Sequence, residues 1–264
     1  MDIFEAIILG IIQGFTEFLP VSSSGHIELG KVILGVDGDA GEGSLFTIIV
    51  HGATALSTIV IFRKDISKIV RDLLTLKWTD SANFTLFIII SMIPAVLVGL
   101  FLKDEIDGLF TENILLVGFM LLITGALLMY TNYVKKKDGI VNYKNSLLLG
   151  IAQAIAILPG ISRSGATIAT GLILGIDKAK VARFSFLMVL PIIFGAMAKD
   201  LKDYNPSADS IEVSSLIAGF IAAFVVGLVA CTAMIKIVKK YKLTSFAMYC
   251  FIVGAIAIIY NFVA

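Results

Sequence analysis

The chain has 264 residues, of which 58% are hydrophobic and only 16% charged, and its mean hydropathy is +0.97. A soluble domain carries about 25% charged and about 45–50% apolar residues, so that class is excluded and a bilayer is the solvent this composition matches. The net charge of +1 singles out no partner by itself, and no nucleic-acid partner or organic cofactor is expected.

The chain opens on "MDIFEAIILG", with Asp2 and Glu5 and no basic n-region; the segment is expected to stay in the mature protein. The first apolar region, 3–35, is interrupted near its middle by Pro20 and a Ser/Gly cluster. Next come an uninterrupted apolar run at about 44–62 and an amphipathic stretch, "ISKIVRDLLTL" (66–76), expected on the membrane interface. Runs at about 84–102 and 113–133 follow, the former kinked by Pro94, the latter carrying Gly118 and Gly125 for close helix packing. Region 146–176 is broken like the first, by Pro159 and another Ser/Gly cluster. Runs at about 181–198, kinked by Pro191, 214–235 and 244–262 complete the chain. Cys231 and Cys250 lie within apolar runs and read as small buried hydrophobes. His51 is able to line a site, but a satisfied core histidine is the favoured reading.

A spanning helix needs about 20 mostly apolar residues. Six runs qualify, whereas each half of the two broken regions is too short and is expected to be re-entrant, with protein or water around the break. The expected fold is an all-α polytopic membrane protein, with about six transmembrane helices plus two re-entrant helical hairpins in a single domain, 1–264.

Charge tests this layout. Sixteen Lys and Arg residues fall on alternate connections: 63–83, 134–145, around 178–183, and 236–242. The opposite connections hold only Lys31, Lys103, Lys199 and Lys202, and are rich in acid: Asp37, Asp39, Glu42, Asp104, Glu105, Asp107, Asp200 and Asp203. The positive-inside rule puts the first group in the cytoplasm. Both termini and the first broken region then face outward, at the plasma membrane of a cell.

The broken regions repeat one another. "LGIIQGFTEFLPVSSSGHIELGKVILGV" (9–36) aligns with "LGIAQAIAILPGISRSGATIATGLILGI" (149–176) at a constant offset of 140, except that Pro20 and Pro159 are one place out of step. Gln13 matches Gln153, and Ser22, Ser24 and Gly25 match Ser162, Ser164 and Gly165. Three spans separate the copies, an odd number, so they have opposite orientation: an inverted-topology repeat with halves at about 1–133 and 146–264.

In each copy Pro ends one short helix and Ser caps the next. The second helix then starts near mid-membrane with free N–H groups and its positive dipole end in the turn, an anion site. Gln13 and Glu17 share one helix face. Ser22, Ser23, Ser24, Gly25 and His26 surround the first turn; Ser162, Arg163, Ser164, Gly165 and Thr167 surround the second. Arg suits a phosphate fork, and charge at membrane depth is by default functional. One acid, one imidazole, one guanidinium and several hydroxyls suit phosphoryl transfer. No P-loop or HExxH motif points to ATP-driven or zinc chemistry.

The motifs "QGFTEFLPVSSSGH" (13–26) and "LPGISRSGAT" (158–167), with essentially the whole chain, resemble the integral-membrane undecaprenyl-diphosphate phosphatase, or bacitracin-resistance, family. The resemblance implies hydrolysis of undecaprenyl diphosphate to undecaprenyl phosphate and inorganic phosphate at the outer face. That reaction recycles the lipid carrier of the cell wall and confers resistance to bacitracin, which competes for the diphosphate. It implies essential roles for Ser23, His26 and Arg163, alongside Glu17. The family's first motif has Glu or Gln followed four residues later by Glu, here Gln13 and Glu17. The Gln form weakens a two-carboxylate metal site, though one carboxylate with diphosphate oxygens still admits Mg²⁺ or Ca²⁺. Glu28 departs from the family's usual apolar residue and is expected at an aqueous entrance.

Three mechanisms stay open at this stage: Ser23 as nucleophile, His26 as nucleophile, or Glu17 as general base toward water. The polyprenyl tail stays among membrane lipids, and a homodimer is admitted. The rival function is a polyprenyl-phosphate flippase, since broken helices in inverted repeats also build transporters.

Overall fold

A computed structural model describes residues 1–36, 45–75, 77–102, 106, 113–134, 138–203 and 212–263. Asp37, Asp39, Glu42, Lys103, Asp104, Glu105, Asp107, Lys135, Lys136 and Lys137 lie outside the described residues, as does the side chain of Asp203.

The described residues are helical throughout, apart from turns and a single backbone bridge between Gly139 and Ile176. The first broken region forms α1 (Ile3–Thr16) and α2 (Ser23–Leu34). Asp2 and Glu5 cap α1 reciprocally, a capping box. The helix closes on Glu17, three residues before Pro20, which has no N–H with which to extend it. The second broken region forms α7 (Tyr143–Ile155) and α8 (Arg163–Ile173). At 14, 12, 13 and 11 residues, none of the four is long enough to cross a bilayer.

Between them lie α3 (Leu45–Ile61), α4 (Arg63–Leu74), α5 (Asp80–Phe101) and α6 (Ile114–Tyr130), which ends in a 3-10 turn. After them come α9 (Lys178–Asp203), α10 (Val213–Lys240) and α11 (Thr244–Val263). Among the described residues, α5, α6 with its 3-10 turn, α9, α10 and α11 are long and apolar enough to span. The run read as 44–62 is a helix of 17 residues that turns by 76° into α4, so α3 and α4 together count as a sixth, bent candidate. The bend falls where the sequence changes from "STIVIF" to "RKDISK", from apolar to charged. No residue of α4 is buried, and its Val70, Leu73 and Leu74 stay exposed, as fits an interfacial helix.

Without a hydrophobic drive in lipid, such helices associate by close packing at small residues. α1 packs along α10, and α7 along α5; α10 also lies on α3, and α5 on α9. α3 packs on α9, and α6 on α11. Interchanging α1, α2, α3, α5 and α6 with α7, α8, α9, α10 and α11 carries each of these pairs onto another, or onto itself. A Cβ at Gly118 would sit 3.0 Å from the Gly254 carbonyl oxygen, so glycine is what lets α6 meet α11 backbone to backbone. Pro94 and Pro191 lie inside α5 and α9. α9 is the most enclosed span: Phe184, Phe186 and Met188 in its middle are buried. Cys231 and Cys250 are buried and unbridged.

Candidate active site

The two turns are built alike. In the first, Ser22 accepts from the Gly25 N–H (3.3 Å) and its hydroxyl lies 3.4 Å from that of Ser24. In the second, Ser162 accepts from the Gly165 N–H (3.0 Å) and lies 3.3 Å from Ser164. Each turn needs one left-handed residue. In the second it is Gly160 (φ 91°); in the first it is Ser22 (φ 71°), which is not a glycine. The one-place shift of the prolines accounts for this, because Gly160 aligns with Pro20, whose ring forbids positive φ.

The turns also meet. The Ser164 hydroxyl donates to the Leu19 carbonyl (3.0 Å), and a Cβ on Gly25 would lie 3.3 Å from the Gly160 Cα. Thr124 of α6 braces the second turn, accepting from the Ser162 N–H (3.1 Å) and donating to the Gly160 carbonyl (3.3 Å). Phe18, beside Glu17, is buried edge-on against Phe186 of α9, with ring centroids 5.9 Å apart.

Glu17 is the hub. Its Oε1 pairs with the Arg163 guanidinium across the two copies. Its Oε2 accepts from the Ser23 hydroxyl (2.8 Å) and from Gln13 Nε2 (3.0 Å). The Glu17 side chain is only 4% exposed. A buried carboxylate needs this much compensation, since desolvation costs several kcal/mol per ion before pairing is counted.

Of the residues singled out from the sequence, Glu17, Ser23, Arg163 and Gln13 come together directly, and Ser164 lines the same cleft. Ser22, Ser24, Gly25, Ser162 and Gly165 shape the two turns around them. Thr167 is turned inward, donating to the Arg163 carbonyl (2.9 Å) and lying 2.6 Å from the Ser185 hydroxyl. His26 does not join the Glu17 cluster by any direct bond: its nitrogens lie against the Ser22 carbonyl and the Tyr249 hydroxyl. Glu28 pairs with Lys31 at 2.6 Å on its own helix.

Sequence reasoning favoured a core role for His51. The structure puts its Nε2 3.9 Å from Glu17 Oε2, with Nδ1 bonded to the Thr47 carbonyl. Thr54, Thr58 and Ser185 were not singled out at all, yet they line the cleft beside Glu17 and Arg163. A signal was there: His51, Thr54 and Thr58 follow at spacings of three and four, one polar face on an apolar helix.

Among the described residues no three of His, Cys, Asp and Glu gather as a metal site. Gln13 Oε1, however, is buried with no partner among them, next to the Glu17 carboxylate. Those two oxygens are the hard donors that suit Mg²⁺ or Ca²⁺ once substrate oxygens complete the shell. In the second copy, Gln153 has neither amide atom partnered among the described residues, because the position matching Glu17 is Ile157.

The fold and the site together define a multi-pass helical membrane protein, in which two broken helical regions bring an Arg, a carboxylate and capping serines to one place. Residues 6–256 match the family model described as bacitracin resistance protein BacA, and the chain belongs to this family. It is 59% identical, over 99% of both chains, to an undecaprenyl-diphosphatase of Christiangramia forsetii. It is 51% identical, over 98% of both, to one of Bacteroides fragilis, and 37% identical, over 100% of this chain and 99% of the other, to one of Methanosphaera stadtmanae.

Proposed function

We propose that this protein is an enzyme that hydrolyses undecaprenyl diphosphate to undecaprenyl phosphate and inorganic phosphate, recycling the cell-wall lipid carrier and conferring resistance to bacitracin. The observation that carries the reading is the meeting of Glu17, Ser23 and Arg163 from two turns that each begin a helix. Family membership and the relatives' names point to the same chemistry.

In this reading the inverted repeat brings two helix N-termini to one diphosphate, and the site opens to the outer face. Arg163 turns from Glu17 to the phosphate oxygens, with the turn N–H groups around it. Ser23 Oγ attacks the terminal phosphorus as its proton passes to Glu17 Oε2, 2.8 Å away. The bridging P–O bond breaks, and undecaprenyl phosphate leaves with the electron pair. Water then cleaves the phosphoserine, restoring the Ser23 hydroxyl and releasing inorganic phosphate. Of the three mechanisms left open by the sequence, the Ser23–Glu17 hydrogen bond favours this one. A Mg²⁺ or Ca²⁺ ion held by Glu17 and Gln13 Oε1 would neutralise phosphate charge. Bacitracin competes by sequestering the diphosphate.

A flippase on the same architecture is not favoured. The relatives are named as hydrolases, and transport has no use for a hydroxyl aimed at a buried carboxylate. The test is phosphate release from a short isoprenyl diphosphate by purified protein supplied with Mg²⁺ or Ca²⁺. Wild type is expected to turn over, and Arg163→Ala and Glu17→Ala to lose on the order of 10³-fold in rate. A wild type that releases no phosphate overturns the proposal.

A further inference from the structure

His26 is held by two contacts, and their donor–acceptor logic selects the tautomer of its neutral ring. Its Nδ1 lies 2.7 Å from the Ser22 carbonyl oxygen. A carbonyl oxygen only accepts, so Nδ1 carries a proton. In the neutral ring Nε2 then has the lone pair. The Tyr249 hydroxyl lies 2.8 Å from Nε2 and donates to it. The two rings also stack, with centroids 5.5 Å apart and planes 14° from parallel. Tyr249 sits 223 positions away, on α11.

A tyrosine on the face of a span is ordinarily read as a membrane-interface anchor. Tyr249 is 43% exposed, which fits that reading. An anchor, however, needs only water or headgroups for its hydroxyl. Here the hydroxyl and the ring face are both used on one imidazole at the head of α2. The neighbouring Cys250 Sγ lies 3.6 Å from the Pro20 carbonyl, so α11 touches the first turn at two successive residues. The α6–α11 contact at Gly118 and Gly254 holds that helix close.

We infer that Tyr249 is a positioning residue for His26: its hydroxyl holds the imidazole in the Nδ1-protonated tautomer, with the basic Nε2 lone pair directed along the phenol. The catalytic consequence rests on the phosphatase reading above, with His26 on the first turn of α2, three residues after Ser23. The partner on one ring nitrogen fixes the protonation of the other, and here the Ser22 carbonyl and the Tyr249 hydroxyl set the two nitrogens from opposite sides.

The chain contains only two histidines, His26 and His51, so ¹⁵N-histidine labelling of the detergent-solubilised full chain reads each ring directly. A His51→Gln variant assigns the signals. Wild type is expected to show His26 protonated at Nδ1. In Tyr249→Phe the Nε2 resonance is expected to shift. The kcat of that variant is expected to fall about tenfold with KM changed less than about twofold, a part of the ~10²–10⁴ that general acid–base groups supply. In a His26→Ala background, Tyr249→Phe is expected to cost nothing more. An Nε2-protonated His26 in the wild type overturns the inference, as does an unchanged signal in Tyr249→Phe. So does an undiminished loss in the His26→Ala background, which marks a purely structural role. The resonance experiment needs no substrate, so an inactive wild type would sink the phosphatase reading while leaving this one to be judged on its own.

Discussion

Ser22 shows how much this site asks of one residue. A side chain in the left-handed region costs roughly 1–2 kcal/mol, and its hydroxyl cap on the Gly25 N–H returns about 1 kcal/mol. The terms nearly cancel, so the two obvious substitutions should separate. Ser22→Gly removes the strain and is tolerated at an N-cap, so its thermal midpoint should stay near wild type. Ser22→Ala keeps the strain and loses the cap, and should unfold with about 1 kcal/mol less stability. Equal midpoints for the two variants would contradict this account of the turn. Glu17 is the opposite case, a buried charge compensated on every side. Arg163→Ala leaves it unpaired, at a cost of about 3–5 kcal/mol, so activity loss in that variant needs a fold check beside it.

At the scale of the element, close packing separates glycines that are needed from those that are not. A Cβ on Gly10 of α1 would lie 2.5 Å from the Gly219 carbonyl oxygen of α10, and backbone cannot move aside cheaply. A Cβ on Gly195 of α9 meets nothing within 4 Å. Gly10→Ala should therefore destabilise the protein, and Gly195→Ala should leave it unchanged or raise stability by up to about 1 kcal/mol, the helix-propensity difference. Thermal unfolding in detergent reads both, and a neutral Gly10→Ala would refute the tight α1–α10 crossing. Much of this level was legible in the sequence. Length and hydropathy located the spans, and Pro20 and Pro159 located the breaks, because a proline's missing donor acts locally. The 76° turn after α3 accompanies the reading of 66–76 as an interfacial helix, and "RKD" marks where it falls.

At the scale of the whole molecule, the sequence repeat placed Glu17 and Arg163 at matching turns, and the fold joins them. What it did not reveal were the partners arriving from elsewhere: His51, Thr54, Ser185 and Tyr249. His51 and Thr54 share one polar face of α3, whereas Ser185 and Tyr249 lie on α9 and α11, and only tertiary packing decides what such groups meet. Orientation in the membrane is a further claim at this scale, argued from charge. The two native cysteines are buried, so engineered ones report cleanly. Ser214→Cys should react with an impermeant thiol reagent in intact cells, and Asp138→Cys only after permeabilisation. The reverse pattern would invert the proposed topology.

The central claim is that Ser23, bonded to the same Glu17 carboxylate that pairs with Arg163, is the nucleophile. Its most direct test is to quench the enzyme during turnover of diphosphate labelled at its terminal phosphorus and to map the label by peptide mass. The account predicts phosphate on Ser23, absent in Ser23→Ala and trapped less in Glu17→Gln. Phosphate on His26, or no labelled peptide under any quench, would contradict it.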